Sequence, residues 1–256
     1  EEFRESSLKH YKLDPAHFLT APSLSWSSCL KYTRVKLKLP TDIDMSTFFD
    51  KGLIGGISLI ANQYARANHH GLGEHFDISK AISYIFMVDC NNQYGWAMNQ
   101  YLPTGAFKWL EEKSLVDWVE FIKSQENEQK QEYFLEVEYP EQLHDEHDTF
   151  PCAPEHVKIE KEMLSGYQKK LGEKLGVKYG GDKLCLTLND KDKYVLHYRN
   201  LKQYLELGLK LKKVHRVLQF DQTPWLKPYI ELNTELRRNA TCKFDEDQAK
   251  LMNNSY

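Results

Sequence analysis

A chain of 256 residues, 41% hydrophobic and 28% charged, can bury one large core or two small ones, which excludes a disordered or low-complexity protein. No uncharged apolar run of about 18 residues and no charged-then-apolar leader occurs, so neither a helical membrane span nor a secretory signal is read and an intracellular protein without a membrane partner is expected. The net charge of -3 does not announce a nucleic-acid binder, but residues 111–160 hold 15 Asp/Glu against 4 Lys (net -11) and residues 161–216 hold 14 Lys/Arg against 6 Asp/Glu (net +8). Such blocks fit either a surface that attracts polyanions beside one that sheds them, or solvated faces of no further meaning. The five cysteines, Cys29, Cys90, Cys152, Cys185 and Cys242, are odd in number and contain no C-x-x-C pair, and so read as reduced thiols.

In chain order, residues 1–12 read as a helix with Phe3, Leu8 and Tyr11 apolar, stopping before Asp14-Pro15. Pro22 opens a second helix whose Trp26, Cys29, Leu30 and Thr33 are expected to form the packing face. Arg34 to Leu39 alternates as a strand, Asp42 and Asp44 cap a helix carrying Phe48 and Phe49, and Gly52, Gly55 and Gly56 suggest a tight turn. His69, His70 and His75 lie among glycines, which gives a loop without rigid ligand spacing.

The stretch Ser83 to Pro103 organises the rest. Tyr84 to Val88 is apolar at every position, as in a strand buried on both faces, and it delivers Asp89 to the strand end where a carboxylate can hold a divalent ion. Asn92, Gln93 and Gly95 read as a turn, and Ala97 to Leu102 as a short helix. Further on, Leu115, Trp118, Val119 and Ile122 mark a helix, residues 126–132 a polar run, and Tyr133 to Tyr139 a strand. Pro140 to Pro154 is an acidic loop in which His144 and His147 lack further ligands. Leu184 to Leu188 and Lys193 to Tyr198 read as a hairpin, Leu201 to Leu209 as a helix, and Val214 to Phe220 as a strand. Two antiparallel helices close the chain, Pro224 to Asn239 and Phe244 to Asn254. If helical throughout, Lys243, Lys250 and Asn254 share one face beside Arg237 and Arg238, a grouping able to clasp a triphosphate.

At Asp89, Cys90, Asn91, Asn92, Gln93, Tyr94 and Gly95 the sequence resembles the first palm motif of family B DNA polymerases, more closely the protein-primed kind in viruses, mitochondrial plasmids and self-synthesising transposons, whose motif reads Asp-x-Asn-Ser-Leu-Tyr-Pro or, in the transposon-like branch, Asp-x-Asn-Asn-Leu-Tyr-Gly. Gln93 stands in the usual Leu place. Lys250-Leu251-Met252-Asn253-Asn254-Ser255-Tyr256 is similar to the second motif, Lys-Leu-Met-x-Asn-Ser-x-Tyr-Gly, up to the last residue. Both occur in the family's order, so the resemblance spans essentially the whole chain, which then reads as a fragment beginning after the exonuclease domain. It implies an α+β fold: residues 1–112 as exonuclease linker and partial palm, 113–220 as an inserted mixed α/β subdomain contacting priming protein and template, and 221–256 as a helical-hairpin fingers.

The resemblance further implies that Asp89 and the backbone carbonyl of Cys90 hold catalytic Mg²⁺, two ions being expected in the complete enzyme. Tyr94 would stack under the deoxyribose and exclude a 2′-hydroxyl, Lys250, Arg238 and Asn254 would bind the incoming nucleotide, and Gly55 and Gly56 would hold single-stranded template, although Leu53 replaces the tyrosine that precedes the glycines in the family. The implied partners are primer/template DNA, dNTP and a terminal priming protein, in nucleus or mitochondrion. No Asp-Thr-Asp third motif and no Asp-x-Glu exonuclease signature occurs. The implied activity is DNA-directed DNA polymerisation by two-metal nucleotidyl transfer, with the fragment alone inactive. The alternatives are a catalytically silent nucleic-acid or terminal-protein binding relic of a mobile element, and a purely structural domain in which Asp89 is a turn residue.

Overall fold

The structure, a computed structural model, describes residues 1–111, 113–124, 131–177 and 181–255, with only the backbone described for 131–134. Residues 126–130 of the polar run and Tyr256 of the second motif lie outside the described residues. The fold is α+β. Helix α1 (Glu2–Tyr11) ends on Lys12 in the left-handed conformation, and Asp14 then caps a short 3-10 turn through the Ala16 amide. Helix α2 (Ala21–Thr33) is capped by Thr20, and α3 (Ile43–Gly52) by Asp42, whose carboxylate accepts from the Asp44 amide at 2.9 Å.

Helix α4 (Gln93–Met98) precedes strand β1 (Leu102–Trp109) and helix α5 (Leu115–Ser124). Strands β2 (Gln131–Glu138) and β3 (Glu155–Lys158), helix α6 (Gly166–Leu175), and strands β4 (Asp182–Cys185) and β5 (Lys191–His197) follow. Helix α7 (Tyr198–Glu206), the long strand β6 (Lys210–Thr223) and the helices α8 (Lys227–Arg238) and α9 (Lys243–Asn254) complete the order.

Four of these strands form an antiparallel sheet in the order β1-β6-β2-β5, and β3 pairs with β4 separately. Because side chains alternate across a strand, the large sheet buries both faces. On one, Leu135, Val137, Tyr194, Leu196 and Val217 pack against Trp118 and Ile122 of α5 and Leu201 of α7. On the other, Val195 and Leu218 meet Phe48 of α3. A second core, built from Tyr11, Leu24, Cys29, Tyr229, Ile230 and Met252, joins α1, α2, α8 and α9. Each fully buried aliphatic or aromatic side chain there stabilises by roughly 1.5 to 3 kcal/mol against leaving it exposed.

Several expectations are corrected. Tyr84 to Val88 is neither a strand nor buried: it pairs with no described strand, and Phe86, Met87 and Val88 are 79%, 99% and 90% exposed. An apolar run is buried as a strand only where neighbouring strands supply hydrogen-bond partners and covering layers, and none of the described strands pairs with it. Arg34 to Leu39 is likewise no ladder strand, holding β1 by one bond from the Lys38 amide to the Thr104 carbonyl, 2.9 Å long. In α2 the buried face is Leu24, Ser25, Ser28 and Cys29, while Trp26 is exposed and meets Trp225 edge-on; the small serines allow close helix approach because their hydroxyls find acceptors.

Residues 53–60 contain no turn, and neither Gly55 nor Gly56 adopts a left-handed φ. The helix read at Ala97 to Leu102 is α4, four residues earlier, and Leu102 opens β1, whose Pro103 and Gly105 masked its strand character. The hairpin read at 184–198 does not form, since β4 pairs with β3 and β5 with β2. The acidic and basic blocks also do not stand apart. Strand β2 lies against β6, with Lys210 3.8 Å from Glu138, and the buried Lys191 donates to Glu155 at 2.6 Å, so the two blocks meet within one fold and part of their charge is paired across it.

Candidate functional site

Asp89 and Cys90 lie at the end of the exposed 84–88 segment, and among the described residues Asp89 makes no hydrogen bond or ion pair. Chain direction is then set by Asn92, which takes a left-handed φ of 53° and precedes α4, its carbonyl accepting from the Trp96 amide at 2.9 Å. Asparagine tolerates that conformation better than most residues. Gly95 is fixed by the same turn, because a Cβ there would come within 2.3 Å of the Asn92 side-chain amide. Tyr94 projects outward, 83% exposed.

Two residues anchor this otherwise open segment. Met98, at the end of α4, and Leu102 pack onto the apolar cluster that contains Tyr229, Ile230 and Met252. The stretch bearing Asp89 and Tyr94 and the helix bearing Lys250 and Asn254 therefore rest on one core, and α4 touches α8 directly. Nothing in the sequence pattern singled out Met98 as the link, since one methionine in a six-residue helix carries no period.

On the helical hairpin, α9 includes Lys243, Lys250 and Asn254, so the three do share a face as expected. Their surroundings differ. Lys243 pairs with Glu246 and Asp247, each at 3.1 Å, and Arg237 with Glu246 at 3.2 Å. Arg238 and Lys250 are exposed and have no acidic partner among the described residues. Cations without a local counter-charge are those able to take an anionic ligand.

Gly55 and Gly56 lie in exposed irregular backbone where an added Cβ would meet nothing within 4 Å. Gly55 borders a cavity of about 180 Å³ with Ile54, Pro154 and Tyr204, remote in sequence from the motif residues. His69 accepts from the Gly71 amide at 3.1 Å and stacks on Tyr84, and no metal-holding group forms among His69, His70 and His75. His147 meets the Tyr139 hydroxyl at 2.7 Å and His144 the Tyr139 carbonyl at 3.3 Å, which fastens the acidic loop to β2. No helix among the described residues is long and apolar enough to cross a membrane.

No protein-family model and no curated protein sequence matches the chain. Its fold is similar to that of solved structures of Phi29 DNA polymerase. In an orthorhombic crystal form, the match covers 98% of this chain and 38% of that one at 16% identity, with a TM-score of 0.53. In the complex of the same polymerase with primer-template DNA, it covers 99% and 37%, again at 16% identity, with a TM-score of 0.52. The chain thus spans under two fifths of the length of the polymerase it resembles.

Proposed function

We propose that this chain is the palm, insertion and fingers part of a DNA-directed DNA polymerase of the protein-primed family B type, with the divisions at 1–112, 113–220 and 221–256. The observation that carries the reading is the shared core: two motif-like segments separated by about 150 residues in sequence rest on the same cluster through Met98 and Met252, in a chain whose fold follows part of a DNA polymerase from end to end.

The chemistry follows from the residues. Asp89 is a hard oxygen donor with no competing partner among the described residues, and with the Cys90 carbonyl it suits a divalent ion such as Mg²⁺. That ion, when bound, lowers the pKa of the attacking hydroxyl and stabilises the leaving pyrophosphate. Lys250 and Arg238 offset the triphosphate charge, Asn254 stands one turn beyond Lys250, and Tyr94 offers its exposed ring to the sugar. Gly55 and Gly56 leave open backbone for single-stranded template, and residues 113–220 contact the priming protein. One carboxylate cannot hold both metals, so the 256-residue chain binds nucleotide and primer-template DNA but does not extend a primer.

Titrating the chain with a fluorescent dNTP in Mg²⁺ and with a labelled primer-template duplex tests this. Lys250→Ala and Arg238→Ala should each weaken dNTP binding about tenfold, a loss of roughly 1.4 kcal/mol, and Asp89→Asn should remove its dependence on Mg²⁺. Equal dNTP affinity in all variants would sink the nucleotide site; DNA binding without any nucleotide binding would leave the binding-relic reading; primer extension by the bare chain would overturn the role given to Asp89.

A further inference from the structure

We propose that Glu136, Asp192 and His215, on three adjacent strands of the large sheet, form a binding site for a divalent transition metal, zinc being the best chemical match. One donor atom from each residue lies within 4.8 Å of the other two, and His215 Nε2 is already 2.9 Å from Glu136 Oε1. The register brings these side chains to one spot: Asp192 follows Lys191, the partner of Val137, and so stands opposite Glu136, while His215 lies two residues beyond Lys213, the partner of Glu136, and so shares its face as a diagonal neighbour. A bulge adjoins each of them.

Between β2 and β5, Leu135 pairs with Tyr194 and Val137 with Lys191, so Asp192 and Lys193 together face the single residue Glu136. Lys193 absorbs the irregularity with a left-handed φ of 50°, and Asp192 is turned to the Glu136 side. Between β2 and β6, Phe134 pairs with Arg216 and Leu135 with Val214, which leaves His215 as the extra residue. Val214 packs on the core while His215 comes to Glu136. Alternation places both ligands on the glutamate's face, and the bulge beside each sharpens the local twist and adjusts how the side chains lean, as bulges do next to sites.

The ligand set selects the metal. Two carboxylates with one imidazole suit zinc and its neighbours better than Mg²⁺ or Ca²⁺, which favour oxygen alone. Tetrahedral zinc at about 2.0 to 2.2 Å from each donor needs donors roughly 3.4 Å apart, reached here by small side-chain rotations. The exposure of Asp192 leaves a fourth position to water, the half-buried Glu136 and His215 supply the rigid part, and Lys213, opposite Glu136 in register, adds an opposing charge that keeps the affinity moderate. Bound metal would join β5, β2 and β6 across both bulges, where ladder bonding is interrupted.

Calorimetric titration of the 256-residue chain with Zn²⁺, and absorption spectroscopy with Co²⁺ as the probe, test the site. One ion should bind most tightly, with ligand-field bands and no thiolate charge-transfer band, and its affinity should fall at least tenfold in Asp192→Asn and in His215→Gln but stay within twofold in Asp182→Asn, an exposed carboxylate on β4. Asp192 is exposed, so its variant keeps the fold even if His215→Gln does not, and circular dichroism melting checks both. No binding, a thiolate band, or unchanged affinity in a folded Asp192→Asn protein would each overturn the proposal.

Discussion

The side-chain amide of Asn233 donates to the side-chain oxygen of Asn253 at 2.9 Å with both residues buried, joining the two terminal helices by a polar bond within their apolar contact. Asn233 Oδ1 accepts in turn from the Tyr11 hydroxyl at 2.8 Å, and Ser25 Oγ donates to the Met252 carbonyl at 2.6 Å, so α1, α2, α8 and α9 are tied by one polar system. Inward placement of Asn253 turns Asn254, about 100° round the helix, to the outside.

Asn233→Ala should therefore leave the Asn253 side-chain oxygen and the Tyr11 hydroxyl without these bonds, costing about 2 to 4 kcal/mol. Urea unfolding of the variant against the parent chain measures it. A loss under about 1 kcal/mol would mean that these bonds do not hold the hairpin.

His197 caps α7 by accepting from the Arg199 amide through Nδ1, and it stacks on Phe220. Burial, then the nearby Arg199, lowers its pKa to about 4, and an acceptor nitrogen at a helix N-terminus also opposes protonation. In the unfolded chain the imidazole takes its proton near pH 6.5. Stability from this group is thus full above about pH 6.5 and is lost as pH falls toward 4, by up to about 3 kcal/mol. Replacing it by an always-neutral acceptor, His197→Gln, should flatten that part of the stability curve between pH 4 and 6.5. An unchanged curve would place the histidine's proton elsewhere.

The exposed run Tyr84 to Val88 makes the opposite kind of prediction. Since Met87 and Val88 bury almost nothing, Met87→Glu or Val88→Lys should change the melting temperature of this chain by no more than about 0.5 kcal/mol would shift it. Self-association, however, should drop, because an apolar segment with unpaired backbone is a template for intermolecular pairing. Light scattering against concentration, beside thermal melting, reads both; a large fall in stability would show that the run is packed in solution.

Tyr94 separates a role in sugar selection from a role in packing. At 83% exposure it cannot be a core residue, so Tyr94→Val should leave stability within about 0.5 kcal/mol. In a polymerase that contains this chain, the same change should admit ribonucleotides, whereas Lys250→Ala should weaken all triphosphates alike, a phosphate contact being blind to the sugar. Unaltered ribonucleotide discrimination in Tyr94→Val would remove the ring from the sugar site.

The sequence by itself determined α1, α2, α3 with its Asp42 cap and the hairpin α8–α9, because these depend on neighbours a few residues apart, and the strand pattern of β2 and β6 was legible too. It also gave the two motif-like segments and their order. Only the tertiary structure decided which strands pair, that the opposed charge blocks lie against one another, and that Tyr84 to Val88 is left exposed, since burial of an apolar run depends on distant partners. The shared support of Met98 and Met252 and the convergence of Glu136, Asp192 and His215 were invisible for the same reason. Register shifts of one residue move a side chain from one face of a sheet to the other, and no local pattern in the chain records where a bulge will fall.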